Sequence, residues 1–149
     1  QSPAPKYIMG LSQSLRYKQW TLGMNFRANI GNYVYNGMAM NAGAWETVSY
    51  NNSQINNLNV SFLKTGFQTR QYLSDYYVEN ASFLKLDNLS LTYNVGKISK
   101  WASLTVSALV QNVFTITGYS GTDPEVPNGM DKSFYPRPRT YSLSFGLQF

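Results

Sequence analysis

Arg139-Thr-Tyr-Ser-Leu-Ser-Phe-Gly-Leu-Gln-Phe149 alternates without a break. Tyr141, Leu143, Phe145, Leu147 and Phe149 fall on one side of an extended chain, and Thr140, Ser142, Ser144, Gly146 and Gln148 fall on the other, because successive side chains of a strand point to opposite faces. One apolar wall and one polar wall over about ten residues is the pattern of a strand that crosses a bilayer at a tilt. Placed last in the chain and closing on an aromatic, such a strand is expected to complete a barrel.

Four further segments share the pattern. From Tyr7 to Tyr17 the odd positions are apolar except for Gln13, and after a tight turn at Lys18 and Gln19 the parity switches to Trp20, Leu22, Met24, Phe26, Ala28 and Ile30. Leu89, Leu91, Tyr93 and Val95 form the apolar side of a third strand that begins near Phe83, although Lys85 and Asp87 suggest that its early part stands above the hydrocarbon. Leu104, Val106, Ala108 and Val110 form that of a fourth. The expected strands lie near residues 7–17, 19–30, 83–95, 102–114 and 139–149. Leu22, Met24, Phe26, Leu89, Leu91, Tyr93, Leu104, Val106, Leu143, Phe145, Leu147 and Phe149 are the expected lipid-facing set. Asn25, Arg27, Asn88, Ser90, Thr105 and Gln111 are expected on the inner wall.

Connection lengths alternate too. The first two strands are joined by a tight turn and the next pair by Gly96–Trp101, whereas Gly31–Ser82 and Thr115–Pro138 are long. Outer-membrane barrels have short periplasmic turns and long extracellular loops. With the last strand ending at the periplasm, both long connections face outward. Tyr17, Trp20, Trp101, Phe114 and Phe149 crowd strand ends, as interfacial girdles require.

Composition agrees. Aromatic residues make up 15% of the chain and charged residues only 13%, about half the charged share of an ordinary soluble domain. Mean hydropathy is slightly negative at −0.32, as expected when every second residue is polar. The net charge of +5 comes from scattered residues rather than a basic run, which argues against nucleic acid as a partner. Cys and His are both absent, so thiolate and imidazole metal sites and His-dependent nucleophilic catalysis are excluded. No signal peptide precedes Gln1, and five strands cannot close a barrel, since an unpaired edge is not tolerated in lipid. The chain is therefore expected to be the final portion of a larger barrel.

Several stretches carry a family likeness. Ser74-Asp-Tyr-Tyr-Val-Glu-Asn-Ala-Ser-Phe-Leu-Lys-Leu-Asp-Asn-Leu-Ser-Leu-Thr-Tyr93 resembles the block before a late strand in the SusC/RagA family of TonB-dependent transporters. Gln111-Asn-Val-Phe-Thr-Ile-Thr-Gly-Tyr-Ser-Gly-Thr-Asp-Pro-Glu125 resembles the family's strand-to-loop passage, with Val113 where Leu is usual. Tyr135-Pro-Arg-Pro-Arg-Thr-Tyr141 resembles the run into the terminal strand, and Gly31-Asn-Tyr-Val-Tyr-Asn36 matches as well. The resemblance implies an all-β chain forming the last five antiparallel strands of a barrel of about 22. It also implies partners: the remaining barrel and a plug, TonB acting through an N-terminal region outside this chain, outer-membrane lipid and a SusD-like lipoprotein lid. The implied cargo is an oligosaccharide or a peptide, and the location is the outer membrane of a Gram-negative, Bacteroidetes-like bacterium.

Tyr33, Tyr35, Trp45, Tyr119, Asp123, Glu125 and Arg137 are the candidate contacts to ligand or lid. They sit with further aromatics such as Tyr50, Tyr76 and Tyr77 in loops rich in Asn, and aromatic faces with amide donors suit sugars and peptides, as they also suit packing of the loop on itself. Asp123, Glu125 and Asp131 invite a calcium site, but Asp-Pro and Asn-Gly are turn formers and the turn reading is preferred. No cofactor and no catalysis are expected. Arg137 and Arg139, stiffened by two prolines, are read as guiding the chain into the last strand, one of them paired to a loop carboxylate. Two other readings compete: a non-transporting barrel serving as adhesin or scaffold, and a soluble carbohydrate-binding β-domain.

Overall fold

The computed structural model describes residues 1–48, 57–132 and 135–149, so Tyr50 lies outside the described residues. Its strands are β1 (Tyr7–Tyr17), β2 (Trp20–Ile30), β3 (Tyr33–Asn36), β4 (Val78–Asn80), β5 (Phe83–Ser99), β6 (Ala102–Thr117), β7 (Met130–Asp131) and β8 (Thr140–Gln148), with short helices α1 (Gly37–Ala42) and α2 (Phe62–Thr65). No helix among the described residues is long and apolar enough to cross a membrane. The chain divides into a sheet unit (Tyr7–Ile30, Phe83–Thr117 and Arg137–Phe149) and a loop unit (Gln1–Lys6, Gly31–Ser82 and Gly118–Pro136).

The sheet unit is one antiparallel sheet in the order β1-β2-β5-β6-β8. Directly opposed residues of antiparallel strands share a face, so the register sorts the side chains. Leu11 pairs with Phe26, Leu22 with Leu91 and Met24 with Leu89, Tyr93 with Val106, and Val106, Ala108 and Leu104 with Phe145, Leu143 and Leu147. One apolar face results. Its opposite carries Asn25 against Asn88, Thr92 against Ser107 and Ser107 against Ser144. On that polar face the Thr92 and Ser107 hydroxyls bond at 3.0 Å. Leu109, paired with Ser90 and Ser142, is the apolar exception there.

Irregularities keep the long strands in phase. Strict alternation would put Lys85 and Asp87 with Leu89 on the apolar face. Instead a bulge at Asp87 makes Asn25 pair with Asn88 but Phe26 with Leu86, so Leu84 and Leu86 join the apolar face while Lys85 stands opposite Arg27. Arg27 then grips the bulged carboxylate through two donors, Nε to Oδ2 at 2.9 Å and Nη2 to Oδ1 at 3.2 Å. Bulges re-aim side chains in this way, and this one sets Lys85 on the polar face.

The turn expected over Gly96–Trp101 is also corrected. β5 continues to Ser99 and β6 begins at Ala102, which leaves Lys100 and Trp101 as the turn. Register shifts at Asn94/Gly96 and Lys97/Ser99, with Gly96 at φ +84°, break the alternation without ending the pairing. Likewise β6 runs past Phe114 to Thr117. Trp20 and Tyr93 meet at this turn end with ring centroids 4.5 Å apart, and Tyr93 Oη donates to Gln19 Oε1 at 2.9 Å. Both long connections leave from the opposite end, where Asn29, Phe83 and Thr117 pair.

The loop unit folds around its own small core. β3 lies between β4, antiparallel to it, and β7, parallel to it. Val34, Ala81 and Tyr119 form one buried cluster, with Val126 against it. Ala39, Met40 and Tyr77 form another, flanked by Tyr35 and Phe67.

Candidate functional site

The loop unit is organised by a few polar residues at the end of β3. Alternation along this short strand buries Val34 and Asn36 and leaves Tyr33 and Tyr35 partly exposed. Asn36 then does two things. Its Oδ1 accepts from Ala39 N at 2.9 Å and caps α1, the usual use of Asn at a helix start. Its Nδ2 donates to Glu79 Oε1 at 2.9 Å and to Ser120 Oγ at 3.0 Å. Ser120 donates its backbone N–H to Glu79 Oε2 and its hydroxyl to Oε1, both at 2.7 Å. Charge-assisted bonds of this length are the strong ones, and they join residues from both long connections.

Beside them Tyr119 Oη donates to Asp131 Oδ2 at 2.8 Å in a buried position. Burial first, and then the Asp131 carboxylate, push this phenol well above its ordinary pKa, so Tyr119 stays a donor. Burial also raises Tyr77, helped by Tyr76 and Tyr35.

Aromatic rings line the same unit. Tyr35 and Tyr77 meet edge-on at 6.5 Å, Tyr77 and Tyr76 at 5.1 Å, and Tyr76 and Phe67 at 5.7 Å, and edge-to-face pairs of this kind are favoured by the ring quadrupole. Trp45 leans on Phe62 at 6.0 Å. Two hollows adjoin this framework. One of about 580 Å³ is lined by Asn59, Ser61, Lys64, Tyr76, Tyr77 and Ser120 among others. A second of about 470 Å³ is lined by Asn36, Asn59, Ser120, Thr122, Asp131 and Tyr135 among others. On the wall of the first, Ser61 Oγ and Tyr77 Oη are buried and have no hydrogen-bond partner among the described residues, and a buried group left so costs about 1–3 kcal/mol.

The residues singled out from the sequence are distributed unevenly over this frame. Tyr35 belongs to the ring chain, and its hydroxyl accepts from Leu73 N at 3.1 Å. Tyr33 is held by the bond from its N–H to Ser2 O at 3.0 Å, and Trp45 is exposed. Tyr119 is buried on Asp131. Asp123 is buried and its Oδ1 accepts from Glu125 N at 3.0 Å, a local turn bond. Among the described residues no three His, Cys, Asp or Glu side chains gather at one point. Arg137 belongs to the sheet unit. There its carbonyl accepts from Asn112 Nδ2 at 2.6 Å, and Arg139 Nε donates to Asn112 O at 3.3 Å. Asn112 sits at φ +53°, a conformation Asn tolerates better than most residues, and it anchors the approach to β8. Glu79, Ser120 and Asn36 were not singled out from the sequence. The one signal they leave is that Glu79 follows Asp75 by four residues in a polar, aromatic stretch.

The sheet's polar face carries a separate hollow of about 470 Å³ bounded by Arg27, Lys85, Asp87, Gln111, Asn112 and Arg137 among others. It opens where the bulges at Asp87 and Asn112 distort the ladder.

No family model matches the chain. It is 36% identical to the TonB-dependent receptor SusC of Bacteroides thetaiotaomicron over 99% of its own length and 15% of that protein's. It is 28% identical to the TonB-dependent receptor P3 of Formosa agariphila over 99% of its length and 17% of that receptor. Among solved structures, the RagAB peptide transporter superposes with a TM-score of 0.80 at 23% identity, covering 100% of this chain and 18% of that one. The same importer in its closed-closed state gives 0.79 at 22% identity, again over 100% of this chain and 18% of that one. The chain thus spans less than a fifth of the length of the relatives it matches.

Proposed function

Since this chain belongs to the SusC/RagA family of TonB-dependent receptors, we propose that it forms part of the wall of an energised importer in the outer membrane. Its apolar face lies against lipid and its polar face lines the interior, next to the plug. The two long connections stand on the extracellular side, where they meet a SusD-like surface lipoprotein. Cargo is an oligosaccharide or a peptide too large for simple diffusion, and TonB supplies the energy through another segment of the protein. The work is transport rather than catalysis.

One observation carries this reading. The sheet has a continuous apolar face and two outer strands, β1 and β8, whose residues are all exposed and whose outer edges are unpaired among the described residues. An open apolar sheet in water invites edge-to-edge aggregation. In a bilayer only a closed barrel satisfies such edges, so further strands must flank β1 and β8. Leu104, Val106, Leu143, Phe145 and Leu147 then form the lipid-facing stripe, with Leu22, Met24, Phe26, Leu89, Leu91 and Tyr93 continuing it.

Cells making the complete protein supply the test. They should accumulate labelled oligosaccharide or oligopeptide cargo, and collapse of the proton gradient or removal of TonB should abolish it. Accumulation that ignores both treatments, or a barrel that assembles and moves nothing, would instead support a passive scaffold or adhesin.

A further inference from the structure

The short-turn end of the sheet is basic and carries no acidic side chain. Arg16 and Lys18 stand at the β1–β2 turn, and Lys97 and Lys100 at the β5–β6 turn. Asp87 is the one Asp or Glu of the sheet unit, and Arg27, toward the other end, holds it at 2.9 Å. All four cations are exposed, and among the described residues their side chains make no hydrogen bond or ion pair. Arg16 lies opposite Thr21 and Lys97 opposite Ser103, on the polar face. Lys18 and Lys100 occupy the turns themselves, each beside an exposed aromatic, Tyr17 at 70% and Trp101 at 81%. Lys18 Nζ lies 5.4 Å from the centroid of the Tyr17 ring, and the Trp20 and Tyr93 rings border the same end.

We infer that this rim binds the headgroups of anionic phospholipids, with Lys18 and Lys100 as the direct contacts. The inference rests on the importer reading, which puts the short turns at the periplasmic side of the membrane, and it adds a lipid preference to that reading. Tyrosine and tryptophan, each with an apolar body and a polar tip, settle where hydrocarbon gives way to headgroups. A lysine one residue from such a ring is therefore held near the depth of the phosphates, and its long stem lets the ammonium group reach them. Arg16 and Lys97 face inward, two and three residues along the chain from Lys18 and Lys100. Their charges add to the same field, which salt screens only beyond about 8–10 Å. Four like charges with no carboxylate among them repel one another, and an anion from outside relieves that repulsion. A zwitterionic headgroup brings its own cation and relieves it less.

The test uses the complete protein, purified in a neutral detergent and titrated with phosphatidylglycerol or with phosphatidylcholine, which has the phosphate but no net charge. Bound lipids are counted by native mass spectrometry. Phosphatidylglycerol is expected to bind more tightly, and added salt to narrow the difference. Lys100→Gln and Lys18→Asn, the latter chosen because Lys18 sits at φ +53°, are each expected to weaken phosphatidylglycerol about fivefold. Arg16→Gln and Lys97→Gln should weaken it less, and Lys132→Gln in the loop unit should leave it unchanged. Heat-modifiable migration on gels shows that each variant still forms its barrel. Equal binding of the two lipids, a preference that the Lys18 and Lys100 variants leave intact, or a rim that takes a polyglutamate peptide while ignoring lipid charge would overturn the inference. The importer reading is judged separately. A barrel that folds in phosphatidylcholine and takes up cargo with TonB, yet shows no lipid preference, keeps the importer and removes the rim site, whereas a chain that forms no barrel in either lipid removes the importer.

Discussion

The sheet unit and the loop unit are built from one chain on opposite principles. In the sheet, side chains alternate except where bulges reset the phase, and scarcely any are buried: every residue of β1 and β8 is exposed. In the loop unit the pattern looks irregular, yet Val34, Ala44, Tyr77, Ala81, Tyr119 and Asp131 are all nearly sealed from solvent. The first region is held by backbone ladders and leaves its apolar surface uncovered among the described residues, as the proposed membrane setting requires. The second must bury apolar side chains against each other and satisfy each polar group it encloses. Regularity thus marks the part of this protein that builds no core of its own, and irregularity of pattern marks the part that does.

The largest expected break in that contrast comes from one charge. Phe145→Arg puts a guanidinium on the apolar face opposite Val106 and should cost about 2–4 kcal/mol of barrel stability near the bilayer centre, while Ser144→Arg next to it should be mild. Denaturant unfolding of the complete protein in lipid checks this, and equal effects of the two would overturn the facing assignment. In the loop unit, Tyr119→Phe removes a buried bond to Asp131 and should cost about 1–3 kcal/mol, read as faster proteolysis of the loops with the barrel intact.

Tyr119 also predicts a pH dependence confined to that unit. Its folded pKa lies above the ordinary value of 10.0. The contribution is therefore complete below about pH 10 and is lost as pH rises above it toward the folded pKa. Loop protection from hydrogen exchange should fall under strong alkali, and less steeply in Tyr119→Phe. Asn36→Ala deletes the α1 cap and the bonds to Glu79 and Ser120 and should cost about 1–2 kcal/mol, again read by loop proteolysis. The smallest effect belongs to the sheet's polar face. Ser107→Ala loses one hydroxyl bond to Thr92 and should shift unfolding in lipid by less than about 1 kcal/mol.

Strands were legible wherever period 2 ran unbroken. β1, β2 and β8 could be read from side-chain parity because each residue's face follows from its neighbour's. Legibility stopped at the bulges. Leu86 and Leu89 share a face although they are three apart, since Asp87 is an inserted residue, and nothing local to Lys85-Leu-Asp-Asn88 announces it. In the same way Gly96 looked like a turn and proved to be a kink inside a paired strand. The candidate site was less legible still. Its aromatic and Asn content was plain, but the pairing of β3 with the two-residue β7, and the meeting of Asn36, Glu79 and Ser120 from separate connections, depend on partners 43 and 84 residues away along the chain.

By itself, the order of residues determined that this protein presents one apolar and one polar face, that its strands run in short-turn pairs with long connections between them, and that imidazole and thiolate chemistry are absent. Those properties are local or compositional, and each can be counted along the chain. Only the tertiary structure decided which strands neighbour which, where the register slips to keep charges off the apolar face, and which polar side chains brace the loop unit. These depend on closing long loops, and the free energy that selects one closure comes from contacts between distant residues.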